Sequence, residues 1–458
     1  MKIAFSSVPP RFAAVMLLSA MLGGCTLAPS AGEKEARTRL AQAGDTLRPA
    51  AQRPLLPELR SDSPLAEYVR FAVLNHPQVL GAYHDWRASV SRIAPTRALP
   101  DPQFTFEADV TSTLMTFMPG LMFDIMTPGK RRAMGREMTA ASDVEYRAFV
   151  AVALRTAAEA RKAWIDLAYV DEAIRLREAS IGSLEQSLEI ASADYTTGRG
   201  MGTLANQVSI QNNTAKVRTD LATLSDRRTA VRVRFKSALG LTPADPDPAW
   251  PLAALVPSVV AGEDELWRRA SAANPELARM RAMVEMAIAS IEVARKARTP
   301  DFTVGGMADL KADPLMVRPT ATVTLPIWRE KIAANIAAAE ARRDASAARV
   351  TAELINLSAE LAQMLYMVRE ADRMIAYIDE TALPNFEQAI ATIEAGYQSG
   401  MTSPSMIPET QLMALDMRLE RVAAMREREI AATELLLLTA SATPDEVPVV
   451  AESTLSQR

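Results

Sequence analysis

Few side chains in this sequence are able to do chemistry. Cys25 is the only cysteine in 458 residues, and there are two histidines. A single thiol excludes a disulfide framework and a CxxC zinc site. Two imidazoles leave little for acid–base catalysis or metal ligation. Two stretches invite a phosphate-binding reading, Pro128-Gly129-Lys130-Arg131 and Gly198-Arg199-Gly200-Met201-Gly202. The first is not a Walker A loop and the second has no strand before it, so neither is taken as a phosphate cradle. Methionine is abundant, and Met115, Met118, Met122 and Met126 lie close together. Thioethers suit Cu(I), but they also fill apolar gaps without chemistry. With no His or Cys cluster the packing reading is preferred. No catalytic residue, metal site or cofactor is expected.

The one cysteine has a context of its own. Lys2 and Arg11 precede a short apolar run, Phe12 to Leu22, which ends in Leu22-Gly23-Gly24-Cys25. The run is too short to span a bilayer and reads as a secretory signal over 1–24. The tetrapeptide resembles a lipobox, whose cysteine is acylated and becomes the first residue of the mature chain. Thr26 in place of aspartate then implies sorting to the outer membrane of a Gram-negative bacterium. The competing reading is an ordinary signal with a chance cysteine.

Composition says what the rest must build. The chain has 51 Lys+Arg against 55 Asp+Glu, a net charge of −4, so no basic footprint for nucleic acid is present. Hydrophobic residues make up 49% but aromatics only 5%, and 81 residues are alanine. Alanine is the best helix former. Long, closely packed helices follow, not a large α/β enzyme core.

The mature chain is one unit written twice. Pro77, Pro102, Phe104 and Pro128 recur 198 positions later as Pro275, Pro300, Phe302 and Pro326. Tyr195-x-x-Gly198 and Leu204 recur 202 positions later as Tyr397-x-x-Gly400 and Met406. Each unit reads helix, two strands, long helix, tight turn, helix. In the first, a helix is expected over 64–97. Phe104, Phe106, Ala108 and Val110 then alternate with polar residues, followed by a loop near Pro119-Gly120 and a second alternating run through Leu121, Phe123 and Ile125. In the second unit Phe302, Val304, Ala308, Ala321, Val323 and Leu325 repeat the pattern, with Pro319 as a departure. Period-2 patterning over about 10 residues fits a transmembrane β-strand, and equally a soluble hairpin with one buried face. Long helices are expected over 129–194 and 329–396. The second carries Leu354, Leu357, Leu361, Met364, Val368, Ala371, Ile375, Ile378 and Ala382 at the 3–4 spacing of a coiled-coil seam. Four strands cannot close a barrel, whose smallest single-chain form has about eight. Strands in lipid would therefore require several chains.

This ordered, repeated set of motifs resembles the TolC family of outer membrane factors over about residues 60–440. Asn-x-Pro or Asn-Pro opens each unit, Thr127-Pro128-Gly129-Lys130-Arg131 and Leu325-Pro326-Ile327 join strand to long helix, and Tyr-x-x-Gly marks each far turn. The resemblance implies a mainly α fold with transmembrane β. A homotrimer would build a 12-stranded β-barrel and a 12-helix periplasmic α-barrel of coiled-coil type, four strands per internally duplicated chain. It implies a passive exit duct for efflux. The partners would be outer-membrane lipid, a periplasmic adaptor (membrane fusion protein) and an inner-membrane transporter of RND or ABC type. A type I secretion duct, or a structural or adaptor-like periplasmic lipoprotein without a barrel, are the alternatives. The Thr-Pro-Gly-Lys-Arg passage is similar to the heavy-metal (cation) efflux branch.

Residue roles follow from the same resemblance. Gly198, Gly202, Leu204 and Gly400 would form the tips that meet the adaptor. Asp194 and Glu394 would line the pore constriction, although a carboxylate that simply faces water is the plainer reading. Beyond the resemblance, Gly182 and Pro384 are equivalent, poor helix-interior residues, and are read as a hinge before the tips or as static kinks. The organisation expected is a signal at 1–24, a lipid-anchored extended segment at 25–60, a first repeat at 61–240, a proline-rich linker at 241–262, a second repeat at 263–440 and a disordered tail at 441–458. The linker and the N-terminal stretch are expected to wrap the middle of the assembly.

Overall fold

A computed structural model describes residues 28–47, 58–110, 114–197, 204–252, 254–312, 314–399, 401–402 and 406–450. A leading helix, α1 (Ala31–Thr46), precedes two copies of one pattern. The first copy is α2 (Leu65–Asn75), α3 (Pro77–Arg97), β1 (Gln103–Val110), β2 (Leu114–Ile125), α4 (Pro128–Thr197) and α5 (Leu204–Ala238). The second is α6 (Glu263–Ala273), α7 (Pro275–Lys296), β3 (Asp301–Asp309), β4 (Met316–Thr324), α8 (Arg329–Tyr377), a π turn (Ile378–Ala382), α9 (Leu383–Gln398) and α10 (Met406–Leu438). The four strands form one antiparallel sheet in the order β1-β2-β3-β4. At 70 residues, α4 is about 105 Å long.

Prolines start three of these helices. Pro77, Pro128 and Pro275 each occupy the first helical position, where the missing N–H is harmless and φ is already set. The same Pro77 breaks the single helix expected over 64–97. A residue before proline is driven out of the α region, and His76 accordingly sits at φ −70°, ψ 126°.

The recurrent asparagine has a physical task in both copies. Asn75 Nδ2 donates to the Leu239 carbonyl at 3.2 Å, and Asn274 Nδ2 donates to the Leu438 carbonyl at 3.1 Å. Each satisfies a terminal carbonyl of a returning helix, α5 or α10, that the helix leaves unbonded. Asn274 Oδ1 also accepts from Leu277 N and caps α7, whereas in the first copy His76 Nδ1 accepts from Gln78 N. Both returning helices close with the same bond, Leu241 N to Lys236 O and Ser441 N to Leu436 O. That closure needs a left-handed residue. Gly240 supplies it at φ 75°, but the second copy uses Ala440 at φ 50°.

The chain divides into two compact units. One takes in 28–42, 82–149 and 278–352 of the described residues and holds the sheet. Its core stacks Trp86 against Phe149, centroids 5.5 Å apart, with Tyr146 at 4.9 Å from Trp86. Within the N-terminal segment expected to be extended, Ala31–Thr46 is helical. Ser30 Oγ accepts from Glu33 N and caps α1, the start of a Ser-x-x-Glu capping pattern. Glu33 is 1% exposed and bridges Arg37 at 2.7 Å and Arg97 at 2.9 Å.

The other unit takes in the remaining described residues. Leu357, Leu361, Val368, Ala371, Ile378 and Ala382 of the expected seam are buried, joined by Leu365. Leu184, Ala191, Ile210 and Val217 form the matching cluster in the first copy. The linker runs beside the start of the first copy. Leu252 N donates to Ser61 O, and Tyr68 shares its phenolic proton between the carbonyls of Arg60 (2.7 Å) and Ala249 (3.0 Å). Burial pushes the Tyr68 phenol up to about 12, with Glu67 and Asp62 adding to it. Asp166, buried on α4, accepts from Arg234 of α5 at 3.0 Å and from Arg426 of α10 at 2.6 Å. The tail is ordered as far as Val450: Val447, Val449 and Val450 are buried, Glu446 pairs with Arg161, and Thr443 and Glu446 cap each other reciprocally. Residues 451–458 lie outside the described residues.

Four substitutions check these contacts by thermal unfolding. Ala440→Gly removes left-handed strain and raises stability by about 0.5–1 kcal/mol, while Gly240→Ala lowers it, because a Cβ there lies 2.7 Å from His76 Cα. Asp166→Ala removes two charge-assisted hydrogen bonds and costs about 1.5–3 kcal/mol. Because the Tyr68 proton is held more tightly in the folded chain, the stability it contributes is present below pH 10. It is lost as pH rises towards about 12, a loss that Tyr68→Phe removes.

Candidate functional site

The sheet sorts its side chains into two unlike faces. Register places Ile125, Phe302 and Val323 in one row, and Phe123, Val304 and Ala321 in the next. Leu121 lies between Phe104 and Gly306, and Gly306 faces Pro319. Phe106 opposes Pro119, Ala108 opposes Phe117, and Ala308 opposes Val317. All of these share one face, which is apolar. It is also bare, with Phe104 and Phe106 each 68% exposed and Val317 64%. The opposite face carries Gln103, Thr105, Glu107, Asp124, Thr303, Thr320 and Thr322. There Asp124 accepts from Thr303 Oγ1 at 2.6 Å and from Gln103 Nε2 at 3.2 Å.

The turn of the first hairpin is not at Pro119-Gly120. β2 runs straight through that dipeptide, and the reversal falls between Val110 and Leu114. The paired β2–β3 register stops at Gly120, where Pro119 lacks the N–H to continue it, yet Leu310 N still donates to Phe117 O at 3.2 Å beyond the proline. Gly120 and Gly305 let side chains lie flat on the polar face. A Cβ on Gly120 would stand 2.6 Å from Met307 Cγ, and one on Gly305 would run into the Leu121 carbonyl and Met122 Sδ. The thioethers of Met122 and Met307 therefore fill spaces left by glycine, which is a packing role. Among the described residues no group of three or more His, Cys, Asp or Glu side chains is placed to hold a metal.

Each edge strand, β1 and β4, is paired on one side only among the described residues. Pro319 sits on the β4 edge, where a strand proline does least damage. No described helix is long and apolar enough to cross a membrane.

At the far ends of the long helices, Gly198, Gly202 and Gly400 lie outside the described residues, as does Cys25. Leu204 begins α5 and is 61% exposed. Asp194 lies in the last turn of α4, and Glu394 is exposed on α9. The second tip is built in part by its own backbone. Met401 N donates to Gly396 O at 2.8 Å, and Thr402 Oγ1 donates to Ile393 O at 3.1 Å. The loop is so tight that a Cβ on Gly396 would stand 2.8 Å from Thr402 Cγ2.

The two expected hinge positions differ. α4 passes through Gly182 unbroken, with open space where a Cβ would be. Pro384 instead follows the π turn. Proline removes one helical N–H and its ring collides with the carbonyl four residues back, here Glu380. The wider turn, with Leu383 N bonded to Ile378 O, absorbs that collision. Asp379 in this turn is held by Arg421 of α10 at 2.6 Å. Sequence reasoning passed over Asp379, Asp166 and Thr402. Only Asn75 and Asn274 had a signal, their recurrence.

Comparison with known proteins places this geometry. Residues 266–441 match the outer membrane efflux protein family. No curated protein matches the chain. Among solved structures, CusC has a TM-score of 0.68 at 16% identity, over 86% of this chain and 99% of its own. VceC of Vibrio cholerae has 0.66 at 15%, over 82% and 95%. The open state of the MtrE channel of Neisseria gonorrhoeae has 0.68 at 15%, over 86% and 98%. At such identities these likenesses establish the fold. The second repeat is thus an outer membrane efflux protein domain, and the chain as a whole has the fold of the outer-membrane channels it matches.

Proposed function

We propose that this chain is the outer-membrane exit duct of a tripartite efflux system, passively conducting substrate from the periplasm to the exterior. The observation that carries the reading is the sheet: one bare apolar face, one polar face and two open edges. In hydrocarbon an unpaired strand edge is intolerable, because no water replaces its hydrogen bonds. Three copies joined edge to edge give 12 strands in a closed barrel with the apolar face to lipid and the Asp124–Thr303 face to the lumen. The helices extend into the periplasm from the barrel's lower rim. Cys25 anchors the mature N-terminus in the membrane. The tips at Gly198, Gly202, Leu204 and Gly400 meet a periplasmic adaptor, which couples the duct to an inner-membrane transporter of RND or ABC type. Asp194 and Glu394, each repeated three times around the axis, hold a negative ring near the constriction, which concentrates cations. The transporter supplies the energy, so the duct requires no nucleotide. The Thr127-Pro128-Gly129-Lys130-Arg131 passage favours a cation-exporting system.

Unboiled electrophoresis of outer membranes tests the assembly. A heat-modifiable trimer is expected, and a Cys25→Ser chain that behaves as a water-soluble monomer overturns the reading. Val304→Lys puts a charge on the lipid face at a cost of about 2–4 kcal/mol per copy and depletes the trimer. Thr322→Lys, on the other face, leaves the trimer intact and changes single-channel conductance. Gly182→Ala combined with Pro384→Ala stiffens both approaches to the tips. The pore should then open less often, and unchanged efflux and conductance would remove the hinge.

A further inference from the structure

The cations around the first strand-to-helix joint are not used by the duct function. In the unit that holds the sheet, a cavity of about 480 Å³ is lined by Glu33, Arg97, Arg131, Arg132, Arg136 and Lys296. Five cations thus face one carboxylate, and Glu33 is already bridged by Arg97 and Arg37. Arg131 is 8% exposed, while Arg132 and Arg136 are open to solvent. Like charges lining one cavity repel one another. An anion in the cavity relieves that repulsion, and guanidinium forks match the oxygens of a phosphate. Gly129 and Gly135 on the lining keep the wall low, and a Cβ on Gly129 would stand 3.8 Å from Lys296 Nζ.

The position of the cavity selects the anion. Gly129, Arg131 and Arg132 follow the end of β2 at Ile125 within seven residues, and Lys296 precedes β3 by five. Lys130 and Asp301 bridge the two segments at the foot of the sheet. Just beyond β4, Leu325, Ile327 and Trp328 are 64%, 65% and 71% exposed. Exposed tryptophan beside an apolar strand end marks the level where hydrocarbon gives way to headgroups. Ala28, three residues after Cys25, also lines the cavity. We propose that this cavity binds the phosphate of an anionic phospholipid headgroup in the periplasm-facing leaflet of the membrane. The inference rests on the membrane reading of the sheet. It assigns the Pro128-Gly129-Lys130-Arg131 joint to a lipid-facing site, and it locks the depth of the barrel where the N-terminal segment meets the first long helix.

The test uses the full-length protein, reconstituted with phosphatidylcholine containing a minor fraction of phosphatidylglycerol. Retained lipid is counted by mass spectrometry after purification, and thermal stability is followed on adding either phospholipid or inorganic phosphate. Phosphatidylglycerol should be enriched over phosphatidylcholine and should raise the melting temperature. Arg132→Ala with Arg136→Ala should cut the enrichment about tenfold, with the heat-modifiable trimer retained. If that variant fails to assemble, Lys296→Gln alone should cut it in the same direction. No enrichment in the wild type, as when a neighbouring copy fills the cavity with its own carboxylate, overturns the proposal. Enrichment unchanged in assembled variants overturns it too. Inorganic phosphate that stabilises as well as phosphatidylglycerol and displaces it makes this a free-anion site, which overturns the lipid assignment. Absence of any heat-modifiable trimer in the wild type instead strikes the membrane reading itself, and is seen on the gel before lipid is counted.

Discussion

A four-stranded sheet with two open edges and a bare apolar face cannot satisfy itself. Each edge presents backbone N–H and C=O groups with no partner strand among the described residues, and the apolar face presents rings with no core to enter. Both deficits disappear together when identical sheets join edge to edge and the outer face meets hydrocarbon. The rest of the molecule is consistent with that demand. The strands are 8 to 12 residues long, and Lys130 pairs with Asp301 beside the joint that leads into the first long helix. Among the described residues the apolar side chains are divided between helix seams, the Trp86–Phe149 core and the sheet surface.

The helices meet a second constraint, how to end a helix inside a packed structure without stranding its carbonyls. One device solves it twice. Asn75 and Asn274 reach back to the last carbonyls of α5 and α10, while Gly240 and Ala440 turn the chain left-handed beside them. The returning helix is thereby fastened where the next short helix begins. Alanine completes the arrangement, since small side chains let backbones approach closely while keeping helix propensity high.

Duplication makes the chain nearly symmetric, and the departures from symmetry are informative. Gly182 lies in an unbroken helix, while Pro384 imposes a π turn held to α10 by Arg421. Asp166 of the first long helix gathers an arginine from each returning helix and so ties the two repeats together. A chain that had only repeated itself would have two interchangeable halves, whereas this one has a continuous first long helix and a second with a built-in irregularity.

Much of this was legible in the residues. Constant offsets exposed the duplication, and period 2 against period 3.5 separated strands from long helices. Those signals are local and repeated, so they survive without coordinates. The misreadings share one cause. Pro119-Gly120 has the composition of a turn but lies within β2, because pairing with Phe106 and close approach to Met307 outweigh local preference. The 31–46 and 441–450 segments look polar and loose, yet capping by Ser30, Thr443 and Glu446 and the burial of Glu33 and Val447 order them. The cation-lined cavity was invisible for the same reason. Its residues come from α1, α3, α4 and α7, and nothing in their spacing says that they converge. Sequence alone therefore determined the repetition and the order of the strands and long helices, since each depends on neighbours within a few turns. The tertiary structure alone decided which distant charges share a space and where the chain reverses, since those depend on energies summed over contacts far apart in the chain.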